Sequence, residues 1–376
     1  MRTPIWQNPD EPAHFNYVRW VADTGTLPEL RVGDWDSALL SRLQNGRPQP
    51  GDDVATIRYE SWQPPLYYML AAPVYRIGPG DEASQVLRMR LFGVFLGGLT
   101  LLVAFHVVLH VFPRPLALAV PFTIAGVPMF TAVSASVSAD PLANLLAAAL
   151  LLALLRTVDW RWLGVLLGLG LVTKLALAVF IPLVVWRSRR ALIPAVAVML
   201  PWLIHQVRVY GWSDPLAFAR HAEVVADQPR FPGLSADYIA QFLTVSFHSF
   251  WAQFGWMAIP APDGLYWLWA VLTLLAAIGL ATRASTLSEP AWRLLLVTVA
   301  LATLAYVAYN LTFQQFQARY LFTALVPICA LLVHGWSAWL PRNWALFAPY
   351  AAAAVLLALN AYSLVRVLVP GFAPVS

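Results

Sequence analysis

Residues 162–186 read WLGVLLGLGLVTKLALAVFIPLVVW, and how this run meets a bilayer decides the topology of the whole chain. It is long enough for one tilted transmembrane helix. At its centre, however, stand Thr173 and Lys174, and Lys174 is the only lysine of the chain. A central ammonium costs about 3 kcal/mol even on the mildest insertion scale. The run is therefore either one helix with a snorkelling lysine, or two half-length helices meeting near Lys174.

The chain on both sides has the composition of an integral membrane protein. Of its 376 residues 60% are apolar and 11% charged, which excludes a water-soluble globular domain. The apolar runs are too long for barrel strands. Spans of about twenty residues are predicted at 91–112, 116–134, 141–156, 191–209, 263–282, 293–312, 320–339 and 345–366. The fold class is all-α and polytopic. Cys329, the single cysteine, excludes an intrachain disulfide. The net charge of +5 comes from arginines scattered at helix ends, so it points to no nucleic-acid partner.

Orientation follows from those arginines. With residues 1–85 outside, the inside connections carry Arg114, Arg156, Arg161, the Arg187-Ser188-Arg189-Arg190 cluster, Arg283, Arg293 and Arg342. All acids but Asp159 and Glu289 then fall outside. Arg88 and Arg90 count against this arrangement. A single crossing at 162–186 would put the Arg187–Arg190 cluster outside, so the two-half-helix reading is preferred; such breaks occur where freed backbone lines a polar cavity. The chain then divides into a first extracytoplasmic loop, 1–85; a transmembrane core, 86–209; a second outer loop, 210–262; and C-terminal spans, 263–376. The second loop is rich in aromatics and reads as helices lying on the membrane face.

Acidic residues gather in the first loop, at Asn8-Pro9-Asp10-Glu11-Pro12-Ala13-His14. Locally this is a helix start: Asp10 can cap, Pro12 suits the first turn, and Gly25 sits where the helix would stop. Phe15, Val18, Val21 and Ala22 share an apolar face opposite Asn16, Arg19 and Asp23. Asp10 is thus a capping residue on an interfacial helix, or a general base whose pKa partial desolvation raises. Glu60, in Tyr59-Glu60-Ser61-Trp62-Gln63-Pro64-Pro65-Leu66-Tyr67-Tyr68, is a second candidate carboxylate or a solvated loop acid. Tyr67 and Tyr68 read as interface anchors. Asp140, before Pro141, is a helix cap on the same outer side. Lys174 and Arg319 are the cationic candidates; Arg319 next to Tyr320 either grips a phosphate bidentately or anchors the chain at the interface. His205 and Arg208 are weaker candidates for the same phosphate.

These motifs, in this order, make the chain resemble the C-type glycosyltransferase superfamily (GT-C). The likeness is to its family-39-like branch of protein O-mannosyltransferases and aminoarabinose lipid A transferases. It rests on Pro9–His14, Gln63–Tyr68, Asp140-Pro141-Leu142-Ala143-Asn144, Gly168–Lys174 and Arg319-Tyr320, which together cover most of the chain. The resemblance implies a GT-C-like bundle with interfacial helices on outer loops of the plasma or inner membrane. It also implies inverting transfer of a sugar from a polyprenyl-phosphate donor to a lipid, glycan or protein hydroxyl. Asp10 would be the base with Glu11 beside it. Lys174 and Arg319 would hold the phosphate, with Tyr320, Glu60, Asp140, His14 and Arg208 around the substrate. Trp62-Gln63 replaces the histidine or acid that many relatives carry before the double proline, so no metal ligand set is indicated and no cofactor is expected. Relatives also have a span before the first loop, and a truncated or misassigned start is expected here. A transporter or lipid flippase, or a non-catalytic scaffold for envelope assembly, are the competing readings.

Overall fold

The computed structural model describes residues 3–44, 53–78, 80–341 and 343–372; Arg342 lies outside the described residues. Its helices are α1 (Glu11–Thr24), α2 (Ser37–Gln44), α3 (Leu66–Arg76), α4 (Glu82–Val108), α5 (Arg114–Ala117), α6 (Ala119–Ala125), α7 (Pro128–Ser134), α8 (Asp140–Leu155), α9 (Trp160–Leu171), α10 (Ile181–Arg187), α11 (Leu192–Tyr210), α12 (Phe218–Val224), α13 (Ala236–Trp251), α14 (Asp263–Thr282), α15 (Pro290–Asn310), α16 (Leu325–Trp336), α17 (Phe347–Tyr362) and α18 (Val369–Gly371). Among the described residues the only strands are β1 (Gln253–Phe254) and β2 (Ile259–Pro260), an antiparallel pair inside a loop expected to be helical. Six helical segments among the described residues are long and apolar enough to cross a membrane: Glu82–Val108, Arg189–Tyr210, Asp263–Thr282, Pro290–Asn310, Ala318–Trp336 and Phe347–Gly371. The protein is an all-α, polytopic integral membrane protein.

Two expected spans take other forms, whereas 162–186 is broken as the two-half-helix reading expects. The run at 116–134 is a bent pair, Arg114–Ala125 and Pro128–Ser134, at 69°. Pro128 has no N–H to donate and disfavours helical backbone at the residue before it, which breaks the helix there. The run at 141–156 becomes α8, 16 residues long, short of the roughly twenty that a bilayer needs. The run at 162–186 is broken where the lysine stands. α9 stops at Leu171, Lys174 is extended with φ −157° and ψ 128°, and a 3₁₀ turn (Leu175–Phe180) leads into α10. The turn is closed from within: Thr173 Oγ1 donates to Leu169 O at 2.8 Å, and Lys174 N to Gly170 O at 2.9 Å.

The chain forms two compact units, each assembled from separate stretches. The first comprises residues 1–97, 133–146 and 159–229. Within it α9 packs on α11 through Gly164 and Gly168, a small-xxx-small stripe of the kind that lets membrane helices approach closely. A Cβ on Gly164 would fall 2.0 Å from Ala191 O, and one on Gly168 2.8 Å from Ala195 O. α1 packs on α3. It ends as expected at Gly25, which is left-handed (φ 68°) and donates to Val21 O at 3.0 Å. Its polar face is not as expected. Asn16 is buried, because its amide donates to Val54 O at 2.6 Å and Ile57 O at 2.9 Å, tying the 53–57 turn onto the helix.

The second unit comprises residues 98–132, 147–158 and 230–376. Its closest helix contact is reciprocal: Gly279 of α14 lies against Gly335 O, and Gly335 of α16 against Ala276 O. Asn360 of α17 donates to Ala125 O at 2.7 Å and Thr131 Oγ1 at 2.9 Å, filling polar groups beside the bend. Ser249 Oγ donates to Phe316 O at 2.8 Å and accepts from Ala318 N at 2.9 Å, which fixes the start of the 3₁₀ segment Ala318–Ala324 on α13.

Candidate active site

The adjacent acids of the first loop have been given different environments. Asp10 occupies the N-cap position of α1 in the left-handed region, φ 63° and ψ 0°, and its side chain makes no cap hydrogen bond. The capping role is thus corrected. A positive φ is uncommon for a residue with a Cβ and in folded proteins clusters at functional positions. Its half-buried carboxylate instead accepts a hydrogen bond from the Tyr59 hydroxyl at 2.7 Å.

Glu11, one residue on, is fully buried. Arg90 of α4 clamps it side-on, Nε to Oε1 at 2.8 Å and Nη2 to Oε2 at 2.6 Å. Trp6 N, Asn8 Nδ2 and Val137 N add hydrogen bonds at 3.1, 3.2 and 3.2 Å. The remaining donors of Arg90 go to Thr3 O at 2.6 Å and Pro4 O at 2.9 Å. Val137 can reach Glu11 because the 134–138 segment lies against Gly93, where a Cβ would sit 2.6 Å from Ser134 O. Five donors on two oxygens make Glu11 the tie between the first loop, α4 and the segment before α8. This also accounts for Arg90, one of the two arginines that count against the expected orientation.

Behind the acids stands a tyrosine layer. Tyr67 and Tyr68 are completely buried, which corrects the expectation of interface anchors. His14 Nδ1 and the Tyr68 hydroxyl are 2.8 Å apart, Tyr68 stacks on Tyr17 at 3.6 Å, and Tyr17 donates to Gln63 O at 3.1 Å. Burial pushes all three phenols above their ordinary pKa, so they stay neutral donors at physiological pH. Glu60, charge-coupled to Tyr68, is buried as well; the solvated-loop reading of it does not hold.

The break in 162–186 brings Lys174 to Asp140. Their ion pair is part-buried, and Asp140 N donates to Ser138 Oγ at 3.1 Å. Leu66 N donates to Val172 O at 2.9 Å, which fixes the start of α3 to the break. Tyr67 follows at once. Its hydroxyl feels the charges of both Glu11 and Asp140 and lies by the backbone of Ser138. Glu11, the tyrosine layer and the Asp140–Lys174 pair therefore form one constellation within the first unit.

The other candidates stand apart from it in kind. Arg208 is exposed on α11 and makes no hydrogen bond or ion pair among the described residues; Gln206, two residues earlier, donates to Trp62 O at 2.9 Å. Arg319 and Tyr320 belong to the second unit. Arg319 is buried, its guanidinium 5.6 Å from the Tyr320 ring centre, and Tyr320 donates to Gln315 Oε1 at 2.9 Å. Among the described residues no three His, Cys, Asp or Glu side chains group to hold a metal ion.

Sequence reasoning missed Arg90, Tyr59 and Tyr67. Arg90 had a signal, its wrong-side charge in an otherwise consistent arginine pattern. The tyrosines had none, since aromatic residues near a membrane serve as anchors more often than as buried donors.

No curated protein and no solved structure matches the chain. The profile of a family described as predicted membrane protein (DUF2142) matches residues 51–331, a stretch that includes Glu60, Asp140, Lys174 and Arg319 and begins after Asp10 and Glu11. The chain belongs to this DUF2142 family of predicted membrane proteins.

Proposed function

We propose that the protein is a membrane glycosyltransferase of the GT-C kind that moves a sugar from a polyprenyl-phosphate donor to a hydroxyl acceptor on the outer face of the membrane. The observation that carries this reading is that Tyr67, the Asp140–Lys174 pair and Glu11, the chain neighbour of Asp10, come together in the first unit, with Asp10 held in a left-handed backbone conformation. The acceptor oxygen attacks the anomeric carbon, and the bond from that carbon to the phosphate oxygen breaks. The acceptor proton passes to the Asp10 carboxylate. The departing phosphate keeps the bond electrons, and its charge is met by Lys174, aided by neutral donors such as Tyr67.

In this scheme Glu11 positions and does not react. Its oxygens are engaged by five donors, which tie the segment carrying Asp10 to α4 and to the 134–138 segment. Asp140 keeps Lys174 oriented until the phosphate arrives. The arginine distribution supports an outer location for the first loop, now that Arg90 is accounted for as the partner of a buried acid. Membranes containing the protein should transfer labelled sugar from a polyprenyl-phosphate donor. Transfer that survives Asp10→Asn at the wild-type rate would falsify the assignment of the base.

A further inference from the structure

Arg90 explains one of the two arginines that stand on the wrong side of the charge rule. Arg88 is the other. Two residues apart on a helix, they point about 200° away from each other, so Arg88 does not face the acids that Arg90 serves. Its Nε and Nη2 are screened from water and have no hydrogen-bond partner among the described residues. Those two nitrogens are the edge by which Arg90 holds Glu11. The same fork is therefore filled by a carboxylate in one residue and bonded to nothing in the other.

The surroundings of Arg88 point to the chemistry that would fill it. Asp81, the acid that feels its charge, spends Oδ1 on Ser84 N at 2.9 Å, and no ion pair joins Asp81 to Arg88 among the described residues. A guanidinium does not lose its proton, so desolvation cannot neutralise it, and a desolvated fork favours an anion with two oxygens in one plane. On the outer surface of α4 beside it, Leu87, Leu91, Val94 and Phe95 are all exposed, and Leu91 and Phe95 follow Arg88 at helical spacing. In a span this stripe meets acyl chains. The fork thus sits at the polar end of a lipid-facing stripe, where a headgroup phosphate lies.

We propose that the Arg88 guanidinium, whose Nε–Nη2 edge is closed to water in the lipid-free chain, swings outward to bind the phosphate of an anionic phospholipid whose acyl chains run along Leu87, Leu91 and Phe95. This site is separate from the transfer chemistry and stands whether or not that reading holds.

Delipidated protein titrated with short-chain phosphatidylglycerol and followed by native mass spectrometry tests it. The wild type should bind one lipid that Arg88→Ala binds about ten-fold more weakly or worse, the worth of one charge-assisted fork. Arg88→Lys keeps the charge and the stem but loses the fork, and should fall between them. Inorganic phosphate should not compete at the lipid concentrations used. Equal lipid affinity in the wild type and in whichever variant retains wild-type helicity overturns the proposal. Full competition by inorganic phosphate also overturns it, by assigning the fork to a soluble anion.

Discussion

Arg90 Nη2 lies 2.6 Å from Glu11 Oε2, with the two side chains 4% and 0% exposed, so the first loop is fastened to α4 by an ion pair removed from water. Breaking such a pair from one side strands a buried charge, at a cost of about 3–5 kcal/mol. Arg90→Ala and Glu11→Gln should each lower the thermal unfolding midpoint of purified protein strongly. The double variant Arg90→Met with Glu11→Leu should recover part of the loss. A double variant no better than the worse single one would show that the pair's charges are not what the singles strand.

Asp10→Asn should act on rate and not on folding. Its carboxylate is half-buried and caps nothing, so the amide should leave stability nearly unchanged while transfer falls between about 10²- and 10⁴-fold. The check is a transfer assay alongside thermal unfolding of the same preparation. Tyr59→Phe removes the 2.7 Å hydrogen bond to that carboxylate and should lower transfer about ten-fold.

Lys174→Met should weaken donor binding and also leave Asp140 without its ammonium. Asp140→Asn in the same chain should restore stability but not transfer. Unfolding measurements and donor titration on the single and double variants separate the two effects; full recovery of donor binding in the double variant would remove Lys174 from the phosphate site.

Gly164→Leu should fail in assembly. Its Cβ would stand 2.0 Å from the backbone oxygen of Ala191, and backbone does not yield as a side-chain tip does. A loss of about 1–3 kcal/mol or more is expected. Gly98→Leu, on α4, meets nothing within 4 Å and should be tolerated, as yield after detergent extraction would show.

Alkaline pH should destabilise the first unit. Tyr17, Tyr67 and Tyr68 are held above the ordinary phenol value of 10.0 by burial. Below that value both folded and unfolded phenols are neutral, and the favourable term is fully present. Above it the unfolded chain ionises first, so stability falls as pH rises towards the folded pKa. Phenolate absorbance should appear together with loss of helicity, and the triple Phe variant should unfold at higher pH. Phenolate formed with helicity intact would contradict the burial.

Much of this protein was legible in its order of residues. Length and apolarity of the runs fix most spans, because a bilayer demands a minimum stretch whatever the neighbours are. Lys174 marks the break in 162–186, because a charge at membrane depth must be paired or exposed to a polar space. Asp10 and Glu11 stand out as an acid pair beside a helix start. Their separation into a half-buried Asp10 and a saturated Glu11 was not legible. It depends on Arg90, 79 positions away from Glu11, and on Val137, 126 away. Nor could local pattern show that Tyr67 and Tyr68 turn inward, or that Pro128 bends a run otherwise long enough to cross. The sequence by itself determined that the chain lives in a membrane and where most of its spans lie, since solvent transfer acts residue by residue. Only the tertiary structure decided which acid is tied and which is left half-buried against Tyr59, since burial and hydrogen-bond partners are supplied by residues distant along the chain.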